Sequence, residues 1–350
     1  MSLEESHTER KANSEFHLKS QQEMSGLFGT YPNALENTSI IARRCSSFDL
    51  TRNLNYSLPT SKVPSGYTQD EYLRHLCDEA AIRRYGNNNT KVKARLDEEF
   101  RLIKRHNLSG FLLIYHEIIH IAREVMIDLN LTNREIPIEE RPPGRGRGSS
   151  VCMLVGYLIG LSHIDPLHFD LSLERFLPDD DISTFPDIDL DFPRNIRDEL
   201  IKRIHKRYGW DRAALTGMFS RYKVKGIIRG LGLALDLPSN ILTKLSDHNL
   251  IDDLKVAIKS HIDSGDNTGS QIWEHLLKLS IELEGFPKYM AQHPGGMVIS
   301  SDPLIDLVPI QPSAIEERYI MQWDKQSISD AGFVKIDFLA LGTLSQLEEA

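Results

Sequence analysis

The sequence has few cysteines and no long apolar run. Its three cysteines, Cys45, Cys77 and Cys152, lie far apart without CxxC spacing, so neither a disulfide framework nor a cysteine zinc site is encoded. No stretch approaches the ~20 consecutive apolar residues of a membrane helix. Residues 1–11 are polar and contain no apolar signal-peptide core. We therefore predict a cytoplasmic protein without a membrane partner.

An overall excess of positive charge is also missing. The chain has 41 Lys and Arg against 50 Asp and Glu, a net charge of −9, which argues against a protein that coats nucleic acid nonspecifically. Positive charge is instead concentrated in residues 202–229, which hold nine Lys or Arg and one acid, Asp211. We call this segment the basic island, and it is a candidate for contact with nucleic acid.

Apolar residues make up 40% of the 350 residues, enough to bury a core in two or three globular units. Capping boxes at Ser20 and Thr68 predict two helix starts. Periodicity predicts further helices at 92–103, 111–126, 151–161, 196–208, 223–235 and from 342, and strands at 185–192, 296–300 and 334–338. Helices with scattered short strands indicate an α+β fold.

Three carboxylates alternate along the first predicted strand. In an extended chain Asp187, Asp189 and Asp191 share one face, while the apolar residues between them face the core. Like charges on one face repel each other unless cations hold them. A solvated edge strand and a metal site are the two interpretations. An EF-hand is excluded because Phe192 and Asp198 stand where that loop needs Gly and Glu.

The predicted strand 334–338 favours the metal site. Alternation there buries the apolar residues and places Lys335 and Asp337 together on the other face. If the two strands pair, Asp189, Asp191 and Asp337 converge beside an ammonium group. Such a set suits two Mg²⁺ ions ~3.5–4 Å apart, which hold the attacking and leaving oxygens of a phosphoryl transfer, while Lys335 contacts the triphosphate.

A glycine-rich loop, residues 144–150, precedes the predicted helix 151–161. Its glycines let backbone N–H groups approach phosphate oxygens, the helix N-terminus adds favourable partial charge, and Arg147 can bind phosphate bidentately. Beside the carboxylate strands it is interpreted as a triphosphate cradle, with a flexible hinge as the alternative. A Walker A loop is excluded, because no Gly-Lys-Ser/Thr follows. The His-Pro-Gly-Gly turn at 293–296 is either purely structural or a substrate contact.

The end of the basic island mixes cations with aromatic residues between Phe219 and Arg229. A helix of this composition can follow a nucleic-acid backbone, with an affinity that falls steeply with salt. A solvated basic helix is the alternative. The candidate contacts are Arg221, Lys223, Lys225 and Arg229.

Several motifs occur in a fixed order along the chain. They are Gly146-Arg147-Gly148-Ser149, Ile164-Asp165-Pro166-Leu167, Leu173-Glu174-Arg175-Phe176-Leu177, Pro186-Asp187-Ile188-Asp189-Leu190-Asp191-Phe192 and Lys335-Ile336-Asp337-Phe338-Leu339. Together they resemble the palm signature of the bacterial replicative DNA polymerases, the polymerase III alpha family, from about residue 16 to 350. Details such as Asp211-Arg212-Ala213-Ala214-Leu215, Gln322-Trp323-Asp324-Lys325 and Leu339-Ala340-Leu341-Gly342 look closer to its error-prone, translesion branch.

The resemblance implies a polymerase-beta-like nucleotidyltransferase palm with an inserted, mainly helical thumb. The implied activity is template-directed transfer of a nucleotide from a dNTP to the 3′-OH of primer–template DNA. Two Mg²⁺ would be held by Asp189, Asp191 and Asp337. The implied nucleotide-binding residues are Arg147, Gly148, Ser149, Arg175 and Lys335, and the implied DNA-binding residues are Arg221, Lys223, Lys225 and Arg229.

The resemblance also implies a domain order. The N-terminus and linker helices occupy 1–60, the palm 61–220 and 291–350, and the thumb 221–290. The family's phosphoesterase and fingers domains have no counterpart in these 350 residues. Because the fingers complete the nucleotide pocket, activity of this chain alone stays open, and contacts with a sliding clamp or other translesion factors are expected through those regions.

The sequence departs from the family pattern at two places. Val151, Cys152 and Met153 replace the small residues expected after the glycine loop, which predicts crowding of the helix that follows. Gly230 and Leu233 stand where the family has an acid and a base in its thumb helix, so some DNA or intradomain contacts are in doubt.

Other functions fit parts of the sequence. His116-Glu117-Ile118-Ile119-His120 matches the HExxH pattern of zinc proteases, but its third-ligand candidates, Glu139 and Glu140, lie in a proline-flanked loop. A DNA-binding fragment that never assembles an active site is a second alternative. A small stand-alone nucleotidyltransferase is a third, disfavoured because ~145 residues between the acidic strands exceed a typical loop.

Overall fold

A computed structural model describes residues 3, 5–13, 15–49, 54, 56–57, 61–173, 177–179, 188–248, 250–263 and 270–349. The chain divides into two compact units. The smaller unit contains residues 1–49 and 219–291, and the larger unit contains residues 50–218 and 292–350. Within the described ranges, no helix has the length and apolarity to cross a membrane.

Helices and strands alternate irregularly along the chain. The α-helices are α1 (Gln21–Leu27), α2 (Pro32–Cys45), α3 (Gln69–Tyr85), α4 (Thr90–Arg105), α5 (Ser109–Asp128), α6 (Leu154–Leu158), α7 (Arg194–Tyr208), α8 (Val224–Ala234), α9 (Ser239–Leu245), α10 (Ile251–Asp263), α11 (Ser270–Leu283), α12 (Lys325–Asp330) and α13 (Gly342–Glu349). The strands are β1 (Arg145–Arg147), β2 (Asp189–Phe192), β3 (Ala213–Arg221), β4 (Pro287–Ile299), β5 (Ile310–Pro312), β6 (Tyr319–Met321) and β7 (Lys335–Ala340). The predicted α+β class is confirmed.

The seven strands form one mixed sheet in the order β1-β2-β7-β4-β3-β6-β5. Strands β2 and β7 are parallel neighbours, although more than a hundred residues separate them in the sequence. Strands β1 and β4 flank this pair, each antiparallel to its neighbour. A segment that returns from far along the chain therefore lies at the centre of the sheet.

The core of the larger unit follows the predicted periodicity. Helix α5 buries eleven of its 20 residues, among them Phe111 and Tyr115, and Tyr115 donates its hydroxyl hydrogen to the carbonyl of Ile188 just before β2 (3.0 Å). Ser20 and Thr68 cap α1 and α3 with both capping-box hydrogen bonds present. These two helix starts and the helix over 111–126 are confirmed.

The predicted continuous helix over 151–161 is wrong. A short 3₁₀ turn, Gly148–Cys152, ends before Met153, and α6 begins only at Leu154. The buried carboxylate of Glu99 on α4 accepts hydrogen bonds from the backbone N–H groups of Leu154 (2.7 Å) and Val155 (2.8 Å). These bonds satisfy free donors of the first turn, so the new helix starts there.

The smaller unit has its own core, in which α8 to α11 pack around Ile228, Leu254 and Leu276, each fully buried. Helix α8 confirms the helix predicted over 223–235. The basic segment from Phe219 is not one helix, however, because residues up to Arg221 end strand β3. Helices α1 and α2 bury none of their residues.

Candidate active site

The two acidic strands pair in the register that the sequence pattern requires. In the parallel β2–β7 pair, Asp189 lies opposite Asp337, and Asp191 follows two residues along. The intervening Leu190 and Phe338 are fully buried, which confirms the predicted alternation. Asp191 and Asp337 are themselves only 5% and 6% exposed. The register thus brings three carboxylates onto neighbouring strands, and water screens the repulsion between the two buried ones poorly.

Cationic side chains compensate this negative charge. Arg147 on the edge strand β1 lies opposite Asp189 and contacts its Oδ2 through Nη1 (2.9 Å). The Nε of Arg147 reaches Asp191 Oδ1 at 3.3 Å. Lys335 forms an ion pair with Asp337 from two residues away on the same strand. Two residues predicted to contact phosphate therefore contact the carboxylates in this structure.

The carboxylates have the chemistry of a divalent-cation site. As the side chains are arranged, no group of three or more His, Cys, Asp or Glu among the described residues could hold a metal ion. Asp337 Oδ1, however, is buried and has no hydrogen-bond partner among the residues that the structure describes. Carboxylate oxygens are the donors that Mg²⁺ prefers. The donor set therefore fits a hard divalent cation, which would relieve this unpaired oxygen.

The turn predicted at 293–296 is wrong, because the His-Pro-Gly-Gly segment lies within the continuous strand β4, beside the same carboxylates. A Cβ on Gly295 would come within 2.6 Å of the carbonyl oxygen of Phe338, and Gly296 pairs directly with Asp337. His293 Nδ1 accepts the backbone N–H groups of Gly295 (3.2 Å) and Gly296 (2.7 Å). Burial lowers the pKa of His293, and the nearby Asp337 carboxylate opposes that shift. The segment therefore belongs to the sheet, and His293 lies close to Asp337.

Sequence reasoning missed Thr216, which lies on strand β3. Its Oγ1 is buried without a hydrogen-bond partner in the described part of the chain, 2.6 Å from where a Cβ on Gly296 would lie. Sequence reasoning also missed Arg197 on α7, whose Nε donates to the carbonyl of Phe338 (2.9 Å). Neither residue belongs to a motif. Only the neighbouring glycines signal a close approach of the backbone.

The glycine loop continues from the edge strand β1. The N–H of Gly146 donates to the carbonyl of Leu161 (2.7 Å), and a Cβ there would lie 2.6 Å from that oxygen. Gly148 has a φ of +72° with open space around it, and Ser149 follows in the 3₁₀ turn. Arg175, the remaining predicted nucleotide contact, lies outside the described residues.

The basic island is divided among several elements. In the larger unit, Arg203 forms an ion pair with Asp128 (2.6 Å) and Arg207 forms one with Glu117 (2.6 Å). In the smaller unit, the predicted nucleic-acid contacts are exposed, and the described structure gives none of them an ion pair; they are Arg221, Lys223, Lys225 and Arg229. These four exposed residues of the smaller unit therefore remain the candidates for phosphate binding.

The HExxH segment on α5 lacks the surroundings of a protease site. His116 Nε2 and His120 Nε2 are 3.0 Å apart, and burial lowers the pKa of His116 to about 3. Glu117, the would-be general base, accepts from Arg207 and from the hydroxyl of Tyr208 (2.7 Å). Glu139 forms an ion pair with Arg83. No third ligand accompanies the two histidines in the part of the chain that the structure describes.

A mixed sheet that gathers Asp189, Asp191 and Asp337 is compatible with the palm of a polymerase-beta-like nucleotidyltransferase. Comparison with known families agrees with this class. Residues 71–340 match the family described as "Bacterial DNA polymerase III alpha NTPase domain". The protein belongs to the bacterial DNA polymerase III alpha family.

Curated relatives include both branches of that family. The chain is 34% identical to error-prone DNA polymerase 2 of Rhizobium meliloti, over 100% of this chain and 31% of the relative. It is 35% identical to the error-prone DNA polymerase of Pseudomonas aeruginosa, over 97% of this chain and 31% of the relative. It is also 35% identical to DNA polymerase III subunit alpha of Halalkalibacterium halodurans, over 93% of this chain and 28% of the relative. The chain spans about a third of the length of these relatives.

Proposed function

We propose that this chain is the palm and thumb of a template-directed DNA polymerase that transfers a nucleotide from a dNTP to a primer 3′-OH with two Mg²⁺ ions. The observation that carries the proposal is the parallel register of β2 and β7, which sets Asp189 against Asp337. When bound, the ions would lower the pKa of the attacking hydroxyl and neutralise charge on the departing pyrophosphate. Because two of the relatives above are named error-prone DNA polymerases, we favour an error-prone role.

The proposed metal ligands are Asp189, Asp191 and Asp337. Their oxygens would hold the two ions on the face of the sheet, and the ions when bound would supply the positive charge that orients the primer 3′-OH and the triphosphate. Arg147 and Lys335 neutralise these carboxylates in the structure described above. In the working site they would turn toward triphosphate oxygens, because phosphate offers each cation a comparable charge-assisted hydrogen bond. The same two side chains thus act as counter-ions before substrate arrives and as phosphate contacts afterwards.

The rest of the proposed machinery lies on the glycine loop and in the smaller unit. Gly148 and Ser149 would approach the triphosphate through their backbone, and Arg175 would add a further phosphate contact. The exposed cations of residues 219–230 would follow the backbone of the primer–template duplex. We assign this segment to the thumb at 221–290, inserted between palm segments 61–220 and 291–350, after the N-terminal segment 1–60.

Primer extension tests the proposal. The chain is assayed with Mg²⁺ and a labelled primer–template, alone and within a longer polypeptide that carries the family's fingers domain. Asp189→Asn and Asp337→Asn should each reduce extension by at least about a hundredfold, because each removes a ligand of the proposed ions. Asp306→Asn, at an exposed carboxylate elsewhere in the larger unit, should leave extension unchanged.

Binding and catalysis separate in the same experiment. Duplex binding without Asp189-dependent extension in either polypeptide would contradict the enzyme and leave a DNA-binding fragment. Mn²⁺ binding followed by electron paramagnetic resonance gives an independent reading. Asp189→Asn and Asp337→Asn should each weaken Mn²⁺ binding, whereas Asp306→Asn should not.

A further inference from the structure

A second pocket lies along the C-terminal half of helix α7, within the larger unit. It is an open cavity of about 890 Å³. Its lining includes Lys202, Arg203, His205, Lys206, Trp210 and Tyr319. Helix α7 begins at Arg194, directly after β2, and its 15 residues span about 20 Å. This α7 pocket is therefore separate from the carboxylates of β2.

Three aromatic rings line one side of the α7 pocket. The Trp210 side chain is 46% exposed, and its ring centroid lies 5.6 Å from that of Tyr319 with the planes 33° apart. Tyr319 in turn contacts His205 edge to face, at 5.7 Å between centroids. A large ring that stays half exposed while two others hold its position is a surface on which a planar base can stack.

Cations of α7 also line the pocket, together with the carboxylates of Glu124, Glu199 and Glu317. Lys206 is exposed, and no ion pair is found for it within the described ranges. Lys202 pairs with Glu317 at 3.1 Å, but both side chains are largely exposed, so the pair is weak and a phosphate could replace Glu317. These cations also complement the negative end of the helix dipole. That role does not account for the exposed ring of Trp210 beside them.

His205 lies in the wall of the same pocket. It is 7% exposed, both of its ring nitrogens are buried from solvent, and the main chain of Ala213 lies near enough to raise its pKa through a hydrogen bond. Burial lowers its pKa to about 4, so the ring is neutral near pH 7 and has one donor and one acceptor. This buried ring therefore fixes the position of Tyr319, against which Trp210 packs.

We propose that the α7 pocket binds one or two nucleotides of single-stranded nucleic acid, with a base on Trp210 and its phosphate at Lys206. A duplex keeps its bases stacked inside, so it could not use Trp210 in this way. The pocket would thus hold an unpaired strand while duplex lies at the carboxylates. This inference adds a binding site beyond the proposed polymerase function.

Tryptophan fluorescence of the whole chain tests the inference. The chain has three tryptophans, and stacking of a base on Trp210 should quench part of the emission when oligo-dT or oligo-U is added. Trp210→Phe should remove that quench. Trp210→Ala and Lys206→Ala should each weaken binding of labelled oligonucleotide, measured by fluorescence anisotropy, by about fivefold or more.

Matched variants and ligands decide the outcome. Phe169→Ala, at an exposed ring elsewhere in the larger unit, and Lys104→Ala, at an exposed lysine on α4, should leave the affinity unchanged. A quench by duplex of equal length as strong as that by single strand would overturn the inference, as would equal affinities of Trp210→Ala and Phe169→Ala. Asp189→Asn should abolish primer extension and leave the quench intact. The two measurements therefore distinguish failure of this inference from failure of the proposed polymerase function.

Discussion

At the scale of single residues, the carboxylate site holds its negative charge with its own cations. Lys335 and Asp337 are both 8% exposed at their side chains, so their ion pair lies largely out of water. Arg147, by contrast, is 46% exposed and reaches two carboxylates. Removal of the buried cation should therefore affect stability, whereas removal of the exposed one should affect mainly substrate binding.

Replacement of Lys335 by Met should destabilise the protein by about 3 kcal/mol in the absence of divalent ions, because it leaves the Asp337 carboxylate buried without a counter-ion. Mg²⁺ should restore more stability to Lys335→Met than it adds to the unsubstituted protein. Urea unfolding with and without Mg²⁺ measures both quantities. Arg134→Ala, which breaks an exposed pair with Glu124, should cost less than about 1 kcal/mol. An equal effect of Mg²⁺ on the stability of Lys335→Met and of the unsubstituted protein would argue against a metal at Asp337.

The faces of the acidic strands could be predicted, but the partners of their side chains could not. Alternation with period two fixes which side Asp189, Asp191 and Asp337 occupy, whatever else the chain does. The choice of Arg147 and Lys335 between a carboxylate and a phosphate depends on rotamers and on what is bound. No local pattern in the sequence records that choice.

At the scale of elements, long helices and strands with clear alternation, such as β2 and β7, were predictable, whereas β3 and the three-residue strands were not. Helix α5 has twenty residues and a clear apolar face. Strands β1, β5 and β6 have three residues each, too few to show alternation. Strand β4 was predicted only from residue 296, because Pro287, Pro294 and Gly295 oppose strand formation locally. Pairing within the sheet outweighs that local preference.

Helix α8 offers a matched pair of glycines. A Cβ on Gly230 would meet nothing within 4 Å, whereas a Cβ on Gly232 would lie 2.3 Å from the side chain of Leu242. Gly230→Ala should therefore raise the free energy of unfolding by about 0.5–1 kcal/mol through helix propensity. Gly232→Ala should lower it by about 1–3 kcal/mol through overpacking. Chemical denaturation measures both, and a change of the same sign in the two variants would contradict the described packing.

At the scale of the whole molecule, the net charge and the proposed function point in opposite directions. The chain carries −9 overall, yet the cations of residues 219–230 are exposed and the described structure pairs none of them. A duplex would therefore be repelled at long range and attracted only by this local surface. Affinity should depend on few contacts, each of which contributes measurably to the salt dependence.

Lys225→Ala should reduce the slope of log affinity for duplex DNA against log salt by about 1, because it removes one phosphate contact. Lys259→Ala, at an exposed lysine on α10 of the same unit, serves as the matched control and should leave the slope unchanged. Anisotropy titrations at several NaCl concentrations give both slopes. Identical slopes for the two variants would rule out Lys225 as a phosphate contact.

The central pairing of β2 with β7 has a consequence for how the protein is made. Asp189 and Asp337 lie 148 positions apart in the chain (337 − 189) and yet side by side in the sheet. During translation, the first acidic strand is synthesised long before its partner exists. Contacts between such distant segments form slowly, because a large loop must close first. Pairing of the two acidic strands is thus a late event in biogenesis, and a nascent chain stalled before residue 335 lacks one of the three carboxylates.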